Sequence, residues 1–327
     1  MEHVKPSSRR QFLKLSGLAG AASILPGCST AANTEVKPLG QAKNVIYLMV
    51  DGLCNGTVGL AHHWQLRHKA TPLNWMQLFE HEGLHRAYQD TASANSPVTD
   101  SAAAASAWGS GQRVNNGSIN VDASGKSLKP ILSYAKEAGK ATGLVTSCRI
   151  THATPAGFST SVPKRGMEDA IAQQYLEREI DVLLGGGARH FLQTQEDGSV
   201  IDYIPQFEAK GYQIVKTASE LSAVRGSGSL LGLFSQSHIP YAIDRQNDRA
   251  YKDVPNLVDM FRASLNQLEG MKDGFVLQVE GGRVDHAGHG NDAGGILHEF
   301  LEFDACIPIA LDFIESHPDT MLVVTTD

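Results

Sequence analysis

The chain has 327 residues, 42% of them hydrophobic and 19% charged, with 28 basic and 35 acidic residues giving a net charge of −7. This is ordinary globular composition, enough for one large α/β domain or two smaller ones. No basic run or basic face stands out, which argues against a nucleic-acid-binding surface.

Residues 1–27 read as an export signal rather than structure. The stretch "SSRRQFLKLSGLAGAASILPGCST" carries a twin-arginine pair, Arg9 and Arg10, and an apolar run from Leu15 to Leu25 that is too short to span a bilayer. "LPGC", Leu25 to Cys28, resembles a bacterial lipobox, which implies cleavage before Cys28 and lipid on it. The alternative is an ordinary signal with a chance cysteine. Either way the product is exported, to the periplasm or cell surface, and under the lipobox reading the lipid on Cys28 is its only membrane contact. Residues 28–42 are polar and read as a tether.

Beyond the tether, short apolar runs alternate with helical patterns. "NVIYLMV" (44–50), "ATGLVTS" (141–147), "DVLLGGG" (181–187), "GFVLQVE" (274–280) and "TMLVVTTD" (320–327) predict buried strands. Helices are predicted over 128–139, 167–178 and 296–316, the last kinked or divided by Pro308. Residues 195–260 are less regular and read as a peripheral insertion. The alternation implies an α/β fold of three layers, a mostly parallel central sheet with helices on both faces. Cys54, Cys148 and Cys306 have no C-x-x-C spacing, so a cysteine zinc site is not indicated. Burial as small apolar residues is the expected fate of each.

Three predicted strands end in a carboxylate: Asp51, Glu280 and Asp327. Ligands of open parallel sheets sit at the C-terminal strand ends, so these carboxylates could share one crevice, the geometry of a hard-cation or zinc site. The glycine-rich "VEGGRVDHAGHGND" adds Asp285, His286, His289 and Asp292. The four-residue spacing of Asp285 and His289 lets both converge on one ion, and carboxylate with imidazole suits zinc. "THATPAGF" offers His152 and Thr154, whose hydroxyl is a reasonable weak magnesium ligand. Arg165 offers a fork for two oxygens of a phosphate or carboxylate. "SPVTDSAAAASAWGSG" has two readings. Asp100 and Ser101 cap an alanine helix, or Ser101 is a nucleophile at a helix N-terminus, where backbone N–H groups favour anions.

In these segments, "VDG", "VTDSAAAASAW", "THATPAGF", "DVLLGGG", "VEGGRVDHAGHGND" and "DTMLVVTTD", the chain resembles the alkaline phosphatases of bacteria and animals, from about Asn44 to Asp327. The resemblance implies a phosphomonoesterase with two zinc ions and one magnesium ion, and residues 43–327 as its catalytic domain. It makes Ser101 the nucleophile that takes the phosphoryl group. Arg165 clamps phosphate and Asp100 positions that arginine. Asp285 and His289 correspond to ligands of the first zinc, Asp51 and Asp327 to ligands of the second, and Asp51, Thr154 and Glu280 to the magnesium ligands. His152 and His286 occupy variable positions near the third metal or the phosphate. The alanines let the serine helix pack close to the sheet. The family can dimerise.

In the family a zinc-ligand histidine directly follows the residue matching Asp327, and another lies further on. Without them the 327-residue chain is expected to be an incomplete domain that binds metal weakly and turns over little. Two other readings stand beside the phosphomonoesterase: a phosphodiesterase or sulfatase of the same superfamily, and a degenerate lipoprotein that binds metal or phosphate. The Ser101 and Arg165 pair disfavours the first. The missing histidines favour the second.

Overall fold

The computed structural model describes residues 42–194 and 197–327; the export signal, Cys28 and nearly all of the tether lie outside the described residues. Seven strands form one parallel sheet: β1 (Asn44–Val50), β2 (Ala141–Arg149), β3 (Val182–Gly186), β6 (Gln213–Val215), β7 (Leu230–Leu233), β8 (Phe275–Gly281) and β9 (Thr320–Thr326). Their order is β6-β7-β3-β2-β8-β1-β9, and every pairing is parallel. A separate antiparallel pair joins β4 (Leu192–Thr194) to β5 (Val200–Asp202).

The strands are apolar almost throughout because helices cover both faces. Along β1, Ile46, Leu48 and Val50 enter one core, while Tyr47 and Met49 enter the other. The first core is closed by α1 (Asn55–Lys69), α6 (Leu257–Leu268), α8 (Ala293–Asp304) and α9 (Cys306–Ser316). The second is closed by α2 (Ser101–Ser110), α3 (Ile131–Glu137), α4 (Ala153–Ser159) and α5 (Glu168–Glu177). The short α7 (Arg283–His289) follows β8 directly. These are the three layers that the alternation of strands and helices implies.

Two expectations need correction. Residues 195–260 are not a peripheral insertion: β6 and β7 extend the central sheet, and only β4 and β5 stand apart from it. β6 and β7 are three and four residues long, too short for the apolar pattern to register. Cys54 is exposed before α1, although Cys148 and Cys306 are buried; all three are free thiols. The small residues of α2 also serve a helix–helix contact: Ala102 joins Tyr47 and Met49 in the core against the sheet, while a Cβ added at Gly109 would lie 1.9 Å from the Gly157 carbonyl oxygen of α4, and one added at Gly157 would lie 2.5 Å from the Ala105 Cβ. The 296–316 pattern is divided at Ala305, which leaves Pro308 in the first turn of α9, where its missing N–H costs little.

Candidate active site

The crevice forms at the C-terminal edge of β2, β8, β1 and β9, which are adjacent in the sheet. In register, Met49 lies beside Glu280 and Val50 beside Thr326, so Asp51, Glu280 and Asp327 reach the same edge from three neighbouring strands. Gly52 makes the approach possible. Its φ of +68° suits glycine, and a Cβ there would meet the Asp285 side chain at 2.7 Å. Its N–H donates to Asp327 Oδ1 at 3.0 Å. Asp285 is thus set against the turn that follows β1. On α7 its Oδ2 lies 3.4 Å from His289 Nε2, one helical turn on, with the His289 ring largely exposed. Asp292 takes no part: its carboxylate caps α8 by accepting the Gly295 N–H at 2.9 Å.

Ser101 enters from the other side. Asp100 is the N-cap of α2, and its Oδ1 accepts the Ala103 N–H at 3.0 Å. The capped-helix reading and the nucleophile reading therefore both fit. Ser101 Oγ lies 3.4 Å from Asp51 Oδ1. Arg165 Nη1 binds Asp100 Oδ2 at 3.0 Å, and its Nη2 donates to His152 Nε2 at 3.1 Å. Asn116 steadies the loop before Ser101 by accepting the Asp100 N–H at 3.1 Å and donating to the Val98 carbonyl at 2.9 Å.

Several buried polar atoms here have no protein partner: Asp51 Oδ2, Glu280 Oε1, Thr154 Oγ1 and His152 Nδ1. Buried polar atoms are normally satisfied, so four orphans in one crevice call for a ligand. Asp51, His152 and Glu280 bring ligand atoms within 4.8 Å of one another. Glu280 also accepts from the Thr146 hydroxyl of β2, which fixes its other oxygen. Burial, then repulsion from Asp327 and Glu280, pushes the Asp51 carboxyl well up; burial does the same to Glu280 and Asp327. A divalent cation reverses that logic by favouring the ionised carboxylates. The oxygen-rich donor set fits hard or borderline metals.

Sequence reasoning missed a layer behind His152. The rings of His152, His238 and His286 meet edge to face, with centroids 4.4–5.4 Å apart. Arg149 forms a forked pair with Glu168 at 2.6 and 2.7 Å and also bonds His238. Glu168 further accepts from Thr151 at 2.7 Å. Burial, then nearby arginine charge, pushes His238 down to about 2 and His286 down to about 4. His238 lies in "SQSHIPY", which carries no motif signal. Arg149 falls between two segments singled out and Arg283 lies inside one, but a lone arginine in either place reads as solvated.

The alkaline phosphatase family profile matches residues 42–327. Alkaline phosphatase 3 of Bacillus subtilis is 35% identical over 331 residues, covering 97% of this chain and 69% of the relative. The crystal structure of Thermus thermophilus alkaline phosphatase superposes with a TM-score of 0.82 at 39% identity, over 93% of this chain and 63% of that one. A variant of the alkaline phosphatase from the Antarctic bacterium TAB5, described as having Mg bound in the M3 site, gives a TM-score of 0.73 at 25% identity, over 88% of this chain and 78% of its own. The chain thus spans about two thirds of the relatives it matches. With the profile, the sheet order and the strand-end carboxylates in agreement, the chain belongs to the alkaline phosphatase family.

Proposed function

We propose that the protein hydrolyses phosphate monoesters through a phosphoserine formed on Ser101, at a site for two zinc ions and one magnesium ion. The observation that carries this reading is Ser101 Oγ poised 3.4 Å from Asp51 Oδ1, beside buried ligand atoms that lack protein partners. Asp285 and His289 would hold the first zinc, Asp51 and Asp327 the second, and Asp51, Thr154 and Glu280 the magnesium. Bound there, the metals would lower the pKa of the seryl hydroxyl and offset charge on the attacking and leaving oxygens.

The residues divide the remaining work. Ser101 gives up its hydroxyl proton to water and its Oγ attacks phosphorus in line; the new P–Oγ bond forms as the bond to the departing alkoxide breaks, and the alkoxide leaves as the alcohol after taking a proton from water. Among the described residues, the side-chain partner of the Ser101 hydroxyl is a carboxylate and not a histidine, so no histidine general base is in place. Arg165, held by Asp100, presents its fork to the non-bridging oxygens. Attack by water on the phosphoserine then frees phosphate and restores the hydroxyl.

The test is phosphoserine trapping. Acid quench after incubation with radiolabelled phosphate or monoester should label the chain at Ser101, and Ser101→Ala should take no label. Rates on monoesters should exceed those on matched diesters; the reverse ranking would assign the site to a phosphodiesterase. Absence of label with normal metal uptake would favour a binding protein.

The same reading places the protein outside the cytoplasm, exported through Arg9 and Arg10 and anchored by lipid on Cys28. Support comes from the sequence of residues 1–28. Palmitate labelling that persists after Cys28→Ser would refute the anchor. Among the described residues no helix is long and apolar enough to cross a membrane.

A further inference from the structure

Arg283 is a cation without a carboxylate. It begins α7, and its guanidinium lies over the Tyr241 ring, 3.8 Å from the centroid. Nη1 donates to His286 Nδ1 at 2.9 Å, and Nε is buried with no partner. Arg149, Arg165 and Arg245 pair with Glu168, Asp100 and Glu302. Among the described residues no carboxylate oxygen comes within 4.0 Å of Arg283.

The surroundings leave that charge unanswered. His286 accepts the Nη1 bond through its ring Nδ1, and the His238 ring packs edge to face on His286, so this side offers hydrogen-bonding edges and no carboxylate. Asp292 is committed to capping α8. Glu299 accepts the Ala242 N–H at 2.6 Å, and burial holds its carboxyl well up, toward the neutral form. A partly buried guanidinium is costly unless paired, and its planar fork matches carboxylate and phosphate oxygens. Stacking on Tyr241 fixes the plane of the fork before any ligand arrives. The position also links to the phosphoryl site. Arg165 bonds His152, the His152 ring touches His286, and His286 bonds Arg283.

We propose that Arg283, seated on Tyr241 and flanked by His286 and His238, is a second anion subsite that receives a carboxylate or second phosphate of a substrate whose phosphoryl group lies at Ser101. The subsite rests on the reading of the Ser101 crevice given above. It would make the protein favour monoesters with a second negative group over those with a neutral alcohol.

Binding, rather than turnover, tests this. The full chain, loaded with zinc and magnesium, is titrated calorimetrically with short ω-phosphonocarboxylates and with alkylphosphonates of equal length. The carboxylate series should bind about tenfold more tightly, the scale of one hydrogen bond to a charged group. Arg283→Gln should erase that advantage and leave the alkylphosphonate affinity unchanged; Arg283→Lys should restore part of it, and Tyr241→Leu should weaken it. No advantage in the unmodified protein, or an advantage that survives Arg283→Gln, overturns the subsite. If neither series binds, the phosphoryl site itself is refuted, and the subsite with it.

Discussion

Asp100 and Arg165 are joined through one carboxylate that has two tasks: Oδ2 holds the guanidinium at 3.0 Å while Oδ1 caps α2. Substitution can separate the two. Asp100→Asn keeps an acceptor for the Ala103 N–H and removes the negative charge. It should leave thermal stability nearly unchanged, since a partly exposed ion pair contributes at most about 1 kcal/mol. Asp100→Ala also loses the cap, a further cost of about 1 kcal/mol, or about 2–4 °C in Tm for a domain of this size. Both should weaken phosphate binding by a similar factor. A Tm for Asp100→Asn as low as that of Asp100→Ala would contradict this division.

Ser101 is half-buried, and among the described residues its hydroxyl bonds Asp51 rather than the helix. Ser101→Ala should therefore fold with unchanged circular dichroism and unchanged magnesium uptake, and yet form no phosphoenzyme. A parallel loss of metal would instead make Ser101 part of the metal site's scaffold.

Removing metal should change how stability depends on pH. Asp51, Glu280 and Asp327 carry raised carboxyl pKa values, first through burial. The native state then binds more protons than the unfolded chain, so stability falls as pH rises from the ordinary carboxyl range through the raised values. His152, His238 and His286 are depressed, so their contribution is lost as pH falls below the ordinary histidine value of 6.5. Above 6.5 the carboxyls dominate, and the chelated protein should lose Tm on going to about pH 8. With zinc and magnesium the slope should flatten or reverse, because the ligands must be ionised. Thermal scans across that range, with chelator and with metals, would show it; identical profiles would rule out the carboxylates as the metal site.

Gly109→Ala tests packing against propensity. Alanine favours the helix by about 1 kcal/mol. The added Cβ would lie 1.9 Å from the Gly157 carbonyl oxygen, which is backbone and cannot swing aside. Overpacking typically costs about 1–3 kcal/mol, so net destabilisation is expected in denaturant titrations. A stabilised variant would mean that α2 and α4 are free to separate.

The parallel strands were legible because burial on both faces writes long apolar runs. The carboxylates Asp51, Glu280 and Asp327 were legible because each follows such a run. Asp100 and Ser101 were ambiguous, since a cap and a nucleophile use the same residue types, and here Asp100 caps α2 while Ser101 faces Asp51. His238 left no trace. It reaches His152 from a loop 86 residues later, and single-residue tertiary contacts carry no periodicity. β6 and β7 were lost to their shortness.

The bond from the Gly52 N–H to Asp327 Oδ1 joins residues 275 apart. Glu280 likewise meets Asp51 across most of the chain. Contacts at such separation close late, after the cost of ordering the intervening chain has been met, and they slow folding. A half-made chain holds at most scattered donors, with no crevice in which to gather an ion. Metal capture should thus act as a late fastening on an assembled sheet rather than as a nucleus, and the first seconds of refolding should be indifferent to zinc.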